Sequence, residues 1–287
     1  MFLSCSKKIE TDSKKVRTYR QDFKSDVAWV VSEWNGQPGG YGSAFLVDKD
    51  LGVFYTNKHV SGLFNNYGKG SHKLFFCGRI YGVEVIKVHP LRDAALIRIT
   101  DLFDSSEFPE PASFSLGKIK KGEKIYLEGF HPHPYLLILA NKVGGYGQMI
   151  VPIWKDYYNL DSKDLNKKTE VVFEKIPGTV IEVSETVEFE KSRDVIDKAR
   201  EIVNTYVIVK TERDHLFSFG GLSGTVVRNG KGETVGIVTV EKDNYEEEKK
   251  DSELKKDEPK YVKKVFNLIG FTPIESVAHL KQYLQKR

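Results

Sequence analysis

Residues 42–60 read GSAFLVDKDLGVFYTNKHV. An apolar run, Ala44–Val47, is followed by the turn-forming Asp48-Lys49-Asp50 and a second apolar run, Val53–Thr56. Two short β-branched and aromatic runs around a polar turn are the pattern of a strand pair. The second run leads directly into Asn57-Lys58-His59-Val60, so an imidazole stands where a strand ends.

The same pattern continues on both sides. Apolar runs recur at Val27–Val31, Lys73–Phe76, Val83–Val88 and Ala94–Ile99, separated by Asn35-Gly36, Gly39-Gly40 and Asn65-Asn66. A break near Asp104–Ser113 carries Pro109 and Pro111. Strand-like runs then resume at Lys124–Leu127, Tyr135–Ala140, Glu170–Phe173, Thr179–Val183, Tyr206–Val209, Thr225–Val227 and Val235–Val240. Asn229-Gly230, between the last two, is a strong hairpin signal. Short strands at this spacing predict an all-β chain of sandwich or barrel type.

The expected organisation is an N-terminal arm over 1–25, a β unit over 26–110, a linker over 111–120, a second β unit over 121–270 and a C-terminal α-helix over 271–287. The second unit is read with insertions at 154–204 and 241–264. Within the first insertion, Val195, Ile196, Ala199 and Ile202 have helical spacing. The second carries charges of both signs at most positions and reads as a solvated loop or exposed ribbon. For the terminal helix, Thr272 is the expected N-cap, Pro273 the first helical residue and Glu275 the partner in a capping box. Ile274, Val277, Leu280 and Leu284 form its apolar stripe.

Composition excludes several classes. Lys plus Arg number 44 and Asp plus Glu 40, a net +4 on 287 residues, without the basic excess expected of a nucleic-acid binder. Two cysteines, Cys5 and Cys77, supply neither a disulfide framework nor a multi-cysteine zinc site. Cys77 lies in an apolar run and reads as a buried thiol. No apolar stretch approaches the ~18 residues needed to cross a bilayer as a helix.

Three motifs carry chemistry, and their order matters. They are Thr56-Asn57-Lys58-His59-Val60, Asp93-Ala94-Ala95-Leu96 and Gly221-Leu222-Ser223-Gly224. A serine hydroxyl needs a base within hydrogen-bond reach, an imidazole can serve, and a buried carboxylate fixes the imidazole's tautomer. In this order the set resembles the chymotrypsin/trypsin-like serine proteases, especially bacterial members without disulfides. That resemblance covers about residues 26–285. It implies two six-stranded antiparallel β-barrels, with His59 as base, Asp93 as orienting acid, Ser223 as nucleophile and the N–H groups of Gly221 and Ser223 as oxyanion hole. It further implies a serine endopeptidase acting on protein or peptide substrates through an acyl-enzyme, without metal or cofactor. An α/β-hydrolase is disfavoured, because Thr225 replaces the second glycine of G-x-S-x-G and the histidine lies upstream.

The sequence departs from that family at Lys58, where a small residue is usual, and at Thr225-Val226. These leave open a binding or sensing module of the same fold with an unproductive or latent triad. By the resemblance, Phe217 sits at the base of the specificity pocket and Thr239 and Glu241 line its wall. An apolar pocket follows from Phe217, and a preference for basic side chains from Glu241. Leu3-Ser4-Cys5 is similar to the tail of a bacterial lipoprotein signal, which would make Cys5 a lipid-anchor site and the chain extracytoplasmic; the competing reading is a polar start with a chance cysteine. His131-Pro132-His133 has the spacing of a two-ligand clip but reads as a turn, and Gly144-Gly145-Tyr146-Gly147 as another. His72, His89, His215 and His279 have no partner visible in the sequence.

Overall fold

The run Val27–Val31 is apolar at every position because it serves two cores at once. Alternate side chains of a strand point to opposite faces. Ala28 and Val30 face the interior of a barrel, packed with Ala44, Leu46, Phe54, Leu74, Phe76, Ile97 and Ile99. Val27, Trp29 and Val31 face outward, against Phe130, Val171, Val226 and Ile237 of the second half of the chain. The same division runs along the neighbouring strands, with Phe54 inside and Val53 and Tyr55 outside. A strand buried on both faces reads as a continuous apolar run.

The computed structural model describes residues 25–34, 36–62, 71–134, 149–151, 169–183, 188–190, 202–204, 207–215, 217–247 and 262–286. The arm with Cys5, the run Tyr135–Ala140, the glycine-rich 144–147 and the middle of the charged run at 248–261 lie outside the described residues; of the helical spacing over 191–204, residues 191–201 also lie outside them, while Ile202 stands in a strand.

The first barrel contains β1 (Val27–Trp34), β2 (Gln37–Asp48), β3 (Val53–Thr56), β4 (Ser71–Phe76), β5 (Arg79–Val88) and β6 (Ala95–Ile99). They close in the order β1-β2-β3-β6-β5-β4 through antiparallel pairs, β4 returning to β1. A single helical turn, α1 (Lys58–Gly62), follows β3. Cys77 is not in a strand as expected. With Gly78 it forms the two-residue link between β4 and β5, where φ is +47° and +75°. Positive φ at both positions is the geometry of a type I′ hairpin.

The second half comprises β7 (Lys124–Pro134), β8 (Met149–Val151), β9 (Thr169–Val183), β10 (Glu188–Glu190), β11 (Ile202–Asn204), β12 (Val207–His215), β13 (Val226–Asn229), β14 (Thr234–Glu247) and β15 (Val262–Pro273). Six of these form the ring β12-β15-β14-β13-β7-β9, closed by pairing of β9 with β12. The fold is therefore all-β, with two six-stranded antiparallel barrels, as expected. β8 adds to the edge of β9, while β10 and β11 form a separate two-stranded ribbon. The span read as an insertion at 154–204 thus contains a central barrel strand, β9. The charged run is flanked by the β14–β15 ribbon, paired out to Glu247 and Val262.

The C-terminal segment forms 3₁₀ turns, Ile274–Ser276 and Ala278–Lys286, rather than the expected α-helix. Thr272 remains in β15, where its hydroxyl lies 2.9 Å from that of Thr239, so it is not the helix cap. The apolar stripe is nonetheless used: Ile274, Val277 and Leu280 are buried in the inter-barrel core and Leu284 packs against it. Tyr55 Oη donates to the Val277 carbonyl at 2.8 Å, tying this segment to β3. Among the described residues, no helix is long and apolar enough to cross a membrane.

Candidate functional site

β3 pairs with β6 in the register Thr56↔Ala95, which places the residues after β3 beside those before β6. Asn57 Nδ2 donates to the Asp93 carbonyl at 2.9 Å. The His59 backbone N–H donates to Asp93 Oδ1 at 2.9 Å, and His59 Nδ1 lies 2.6 Å from Oδ2. Both carboxylate oxygens thus hold one residue, at the backbone and at the ring. The Asp93 side chain is 3% exposed and that of His59 41%. A ring whose Nδ1–H is given to a carboxylate presents the Nε2 lone pair on its other side. Lys58, on α1, carries its Nζ to 3.5 Å from the Pro90 carbonyl.

Ser223 comes from the second barrel but is fastened to the first. The Ser43 N–H donates to the Ser223 carbonyl at 2.7 Å, and Ser43 Oγ donates to the carbonyls of Gly221 at 2.9 Å and Phe130 at 3.2 Å. The flanking glycines are required by backbone geometry. Gly221 has φ +98° and Gly224 φ +88°. A Cβ on Gly224 would lie 2.1 Å from the Ser43 carbonyl oxygen, and one on Gly221 would press on Trp29 and Pro132 at 3.0 Å. Gly42 closes the other side: a Cβ there would meet Val60, next to His59, at 2.7 Å and the Ser223 carbonyl at 3.1 Å. His59 and Asp93 are thereby joined directly, and the backbone of Gly221 and Ser223 is held to Ser43 of the first barrel.

The expected pocket residues are all engaged within the second barrel. Thr239 is buried on β14, its hydroxyl engaged with the Ile237 carbonyl and Thr272. Glu241 Oε2 accepts the Phe219 N–H at 2.6 Å, and its Oε1 lies 3.3 Å from Lys264 Nζ. This carboxylate braces the loop before Ser223. Phe217 is half-buried, its ring 5.0 Å from that of His133 and edge-on to it.

His131-Pro132-His133 is not a turn. It continues β7, whose residues Ile125 and Leu127 point into the second barrel. Counting by two from these puts His131 and His133 on the same inward face. They converge with Glu174 of β9 and His215 of β12, all four side chains fully buried. His131 Nε2 contacts Glu174 Oε2; His215 Nε2 lies 3.0 Å from the same oxygen; His133 Nε2 lies 3.0 Å from His131 Nε2 and 3.8 Å from Oε2. Burial lowers the pKa of His131, to about 4, and of His133, with the Glu174 charge pulling the other way. Burial alone raises the Glu174 carboxyl, but the surrounding imidazoles outweigh it and hold it ionised. The period-two pattern on β7 was the available sequence signal. Glu174 and His215 lie on other strands, which no local reading joins to it.

His89 and His279 also have partners, their rings 5.0 Å apart and near perpendicular. His89 Nδ1 accepts the N–H groups of Leu91 and Arg92 at 3.1 and 2.8 Å. Burial, then the His279 imidazole and the charges of Arg92 and Lys58, lower its pKa to about 4. His72 lies on β4 opposite Ser32.

No protein-family model and no curated protein matches the sequence. Among solved structures, the chain is similar to the Rv3671c protease from M. tuberculosis in its active form, at 13% identity over 90% of this chain and 79% of that chain, with a TM-score of 0.52. It is also similar to a serine-to-alanine mutant of Rv3671c in an inactive form, at 13% identity over 91% and 88% of the two chains, with a TM-score of 0.50. The likeness is one of fold, that of the chymotrypsin-like serine proteases.

Proposed function

We propose that the chain is a serine endopeptidase. The reading is carried by the doubly held His59: one buried carboxylate takes both its backbone N–H and its ring nitrogen, at 2.9 and 2.6 Å. Asp93 then fixes the tautomer in which Nε2 is the base and stabilises the imidazolium that forms. Ser223 Oγ attacks the peptide carbonyl carbon while its proton passes to His59 Nε2. The oxyanion is taken up by the N–H groups of Gly221 and Ser223, each worth about 10²–10³ in rate where such donors have been removed. The intermediate collapses with cleavage of the C–N bond, and His59 returns the proton to the leaving amine. Water, deprotonated by the same imidazole, then hydrolyses the acyl-enzyme.

Substrates are proteins or peptides. Glu241 is engaged by Phe219 and Lys264, which favours an apolar pocket over one selecting basic side chains. A fluorophosphonate probe tests the assignment. The wild type is labelled at neutral pH, Ser223→Ala is not, and Asp93→Asn is labelled about 10⁴-fold more slowly. A folded wild type that takes no label overturns the reading and points to a binding or sensing module of the same fold.

A further inference from the structure

The second barrel holds a set of groups that protease chemistry does not use. Three imidazoles and one carboxylate, each from an inward-facing strand position, bring Nε2, Nε2, Nε2 and Oε2 together, with all ligand atoms within 4.8 Å of one another. Buried polar groups are costly unless satisfied, and Nδ1 of His131 and of His133 has no hydrogen-bond partner among the described residues. His215 Nδ1 faces Phe217, 2.9 Å from its carbonyl and 3.2 Å from its N–H. Its Nε2 lies 3.0 Å from Glu174 Oε2. His131 Nε2 is engaged with the same carboxylate and cannot also serve His133 Nε2, 3.0 Å away. Glu174 Oε1 is buried without a hydrogen-bond partner among the described residues.

We propose that His131, His133, Glu174 and His215 form a closed four-ligand site for one divalent cation of the zinc class. Three of the six ligand–ligand separations, 3.0, 3.0 and 3.8 Å, bracket the edge of about 3.3 Å of a tetrahedron with metal–ligand bonds of ~2.0–2.1 Å, and a bound ion would spread the closer His131–Glu174 pair. Imidazole-rich donors select zinc, cobalt or nickel over calcium and magnesium, which take oxygen shells. The Phe217 carbonyl on His215 Nδ1 is the outer partner that commonly orients such a ligand. Four protein ligands leave no open position, so the ion is structural.

Its leverage falls on the loop before Ser223. His215 ends β12, and the chain from it leads through Phe217 and Phe219 to Gly221. Pro132, between two of the ligands, is one of the groups packed against Gly221. Holding β7, β9 and β12 together therefore holds both sides of the loop that carries the expected oxyanion donors.

The test uses full-length Ser223→Ala protein, so that it is independent of peptidase activity. The protein is refolded with chelator and then titrated with Co²⁺ or Zn²⁺. The expected result is about one ion per chain by elemental analysis, an intense visible cobalt spectrum of tetrahedral type, and a rise of several degrees in the thermal midpoint with zinc. Glu174→Gln and His215→Ala, where they fold by circular dichroism, lose the spectrum. The midpoint shift in the unmutated cluster stands as the readout if they do not fold. A folded protein that binds less than about a tenth of an equivalent, with an unchanged midpoint, overturns the proposal in favour of a metal-free histidine–glutamate network. So does a cobalt spectrum that survives in both folded variants.

Discussion

The two barrels have the same strand number and closure but fill their interiors differently. The first is lined by Ala28, Val30, Leu46, Phe54, Leu74, Phe76, Ile97 and Ile99, all apolar. The second begins in the same way, with Ile125, Leu127, Ile176, Val180, Val209 and Ile269, and ends in His131, His133, Glu174 and His215. An apolar interior closes by dispersion and exclusion of water and needs no particular partner for any atom. A polar interior closes only if each donor and acceptor is met. The first barrel supplies a general scaffold for His59 and Asp93. The second places a chemically specific cluster beneath the segment leading to Ser223.

The largest expected effect breaks the apolar side of this contrast. Phe54 is fully buried and edge-on to Phe76 at 4.9 Å. Phe54→Ala should lower unfolding stability by about 3–5 kcal/mol, through lost transfer energy and the cavity left behind. Urea unfolding measures it, and the loss should be the same with zinc or with chelator present. A loss that depends on the cation would mean that the two interiors are not separate.

A smaller effect is expected at the seam. Gly224→Ala places a Cβ 2.1 Å from the Ser43 carbonyl at a φ of +88°. Strain of about 1–3 kcal/mol is expected, together with a fall of roughly 10² in fluorophosphonate labelling rate as the loop shifts. Labelling unchanged from wild type would show that the loop tolerates displacement and that the fit of the second barrel to Ser43 does not set the site.

The smallest effect concerns His89, which belongs to the first half yet lies outside its barrel interior. Its folded pKa of about 4 is below the ordinary value of 6.5, so the unfolded chain takes up the proton first. Its contribution to stability is complete above about pH 6.5, declines as the pH falls, and is exhausted once the pH passes below about 4. His89→Asn keeps an acceptor for the Leu91 and Arg92 N–H groups while removing the titration. The drop in urea midpoint between pH 7 and pH 5 should be shallower in the variant. Equal drops would place the acid sensitivity elsewhere.

Much of this was legible locally. Period-two and continuous apolar runs marked nearly every strand of the first barrel, because each strand's burial is written into its own residues. Gly221 and Gly224 were legible as members of the Gly221-Leu222-Ser223-Gly224 motif, and the structure shows their positive φ, a conformation that favours glycine. The C-terminal stripe of Ile274, Val277 and Leu280 was equally plain, yet the segment is 3₁₀, because Thr272 stays paired in β15 and cannot cap a helix. β9 was partly hidden inside a span read as an insertion. Its Glu174, like the histidines of β7, is polar on an inward face and breaks the apolar alternation that marks a buried strand.

The sequence by itself determined most strand positions of the first barrel and the all-β class, because these depend on residues close together in the chain, and it set the order of His59, Asp93 and Ser223. Only the tertiary structure decided that β9 closes on β12, that Ser43 of the first barrel holds the Ser223 loop, and that Glu174 meets three histidines from two other strands. Those outcomes depend on which distant strands pair and in what register. That choice is made by the burial of the whole chain, not by any segment of it.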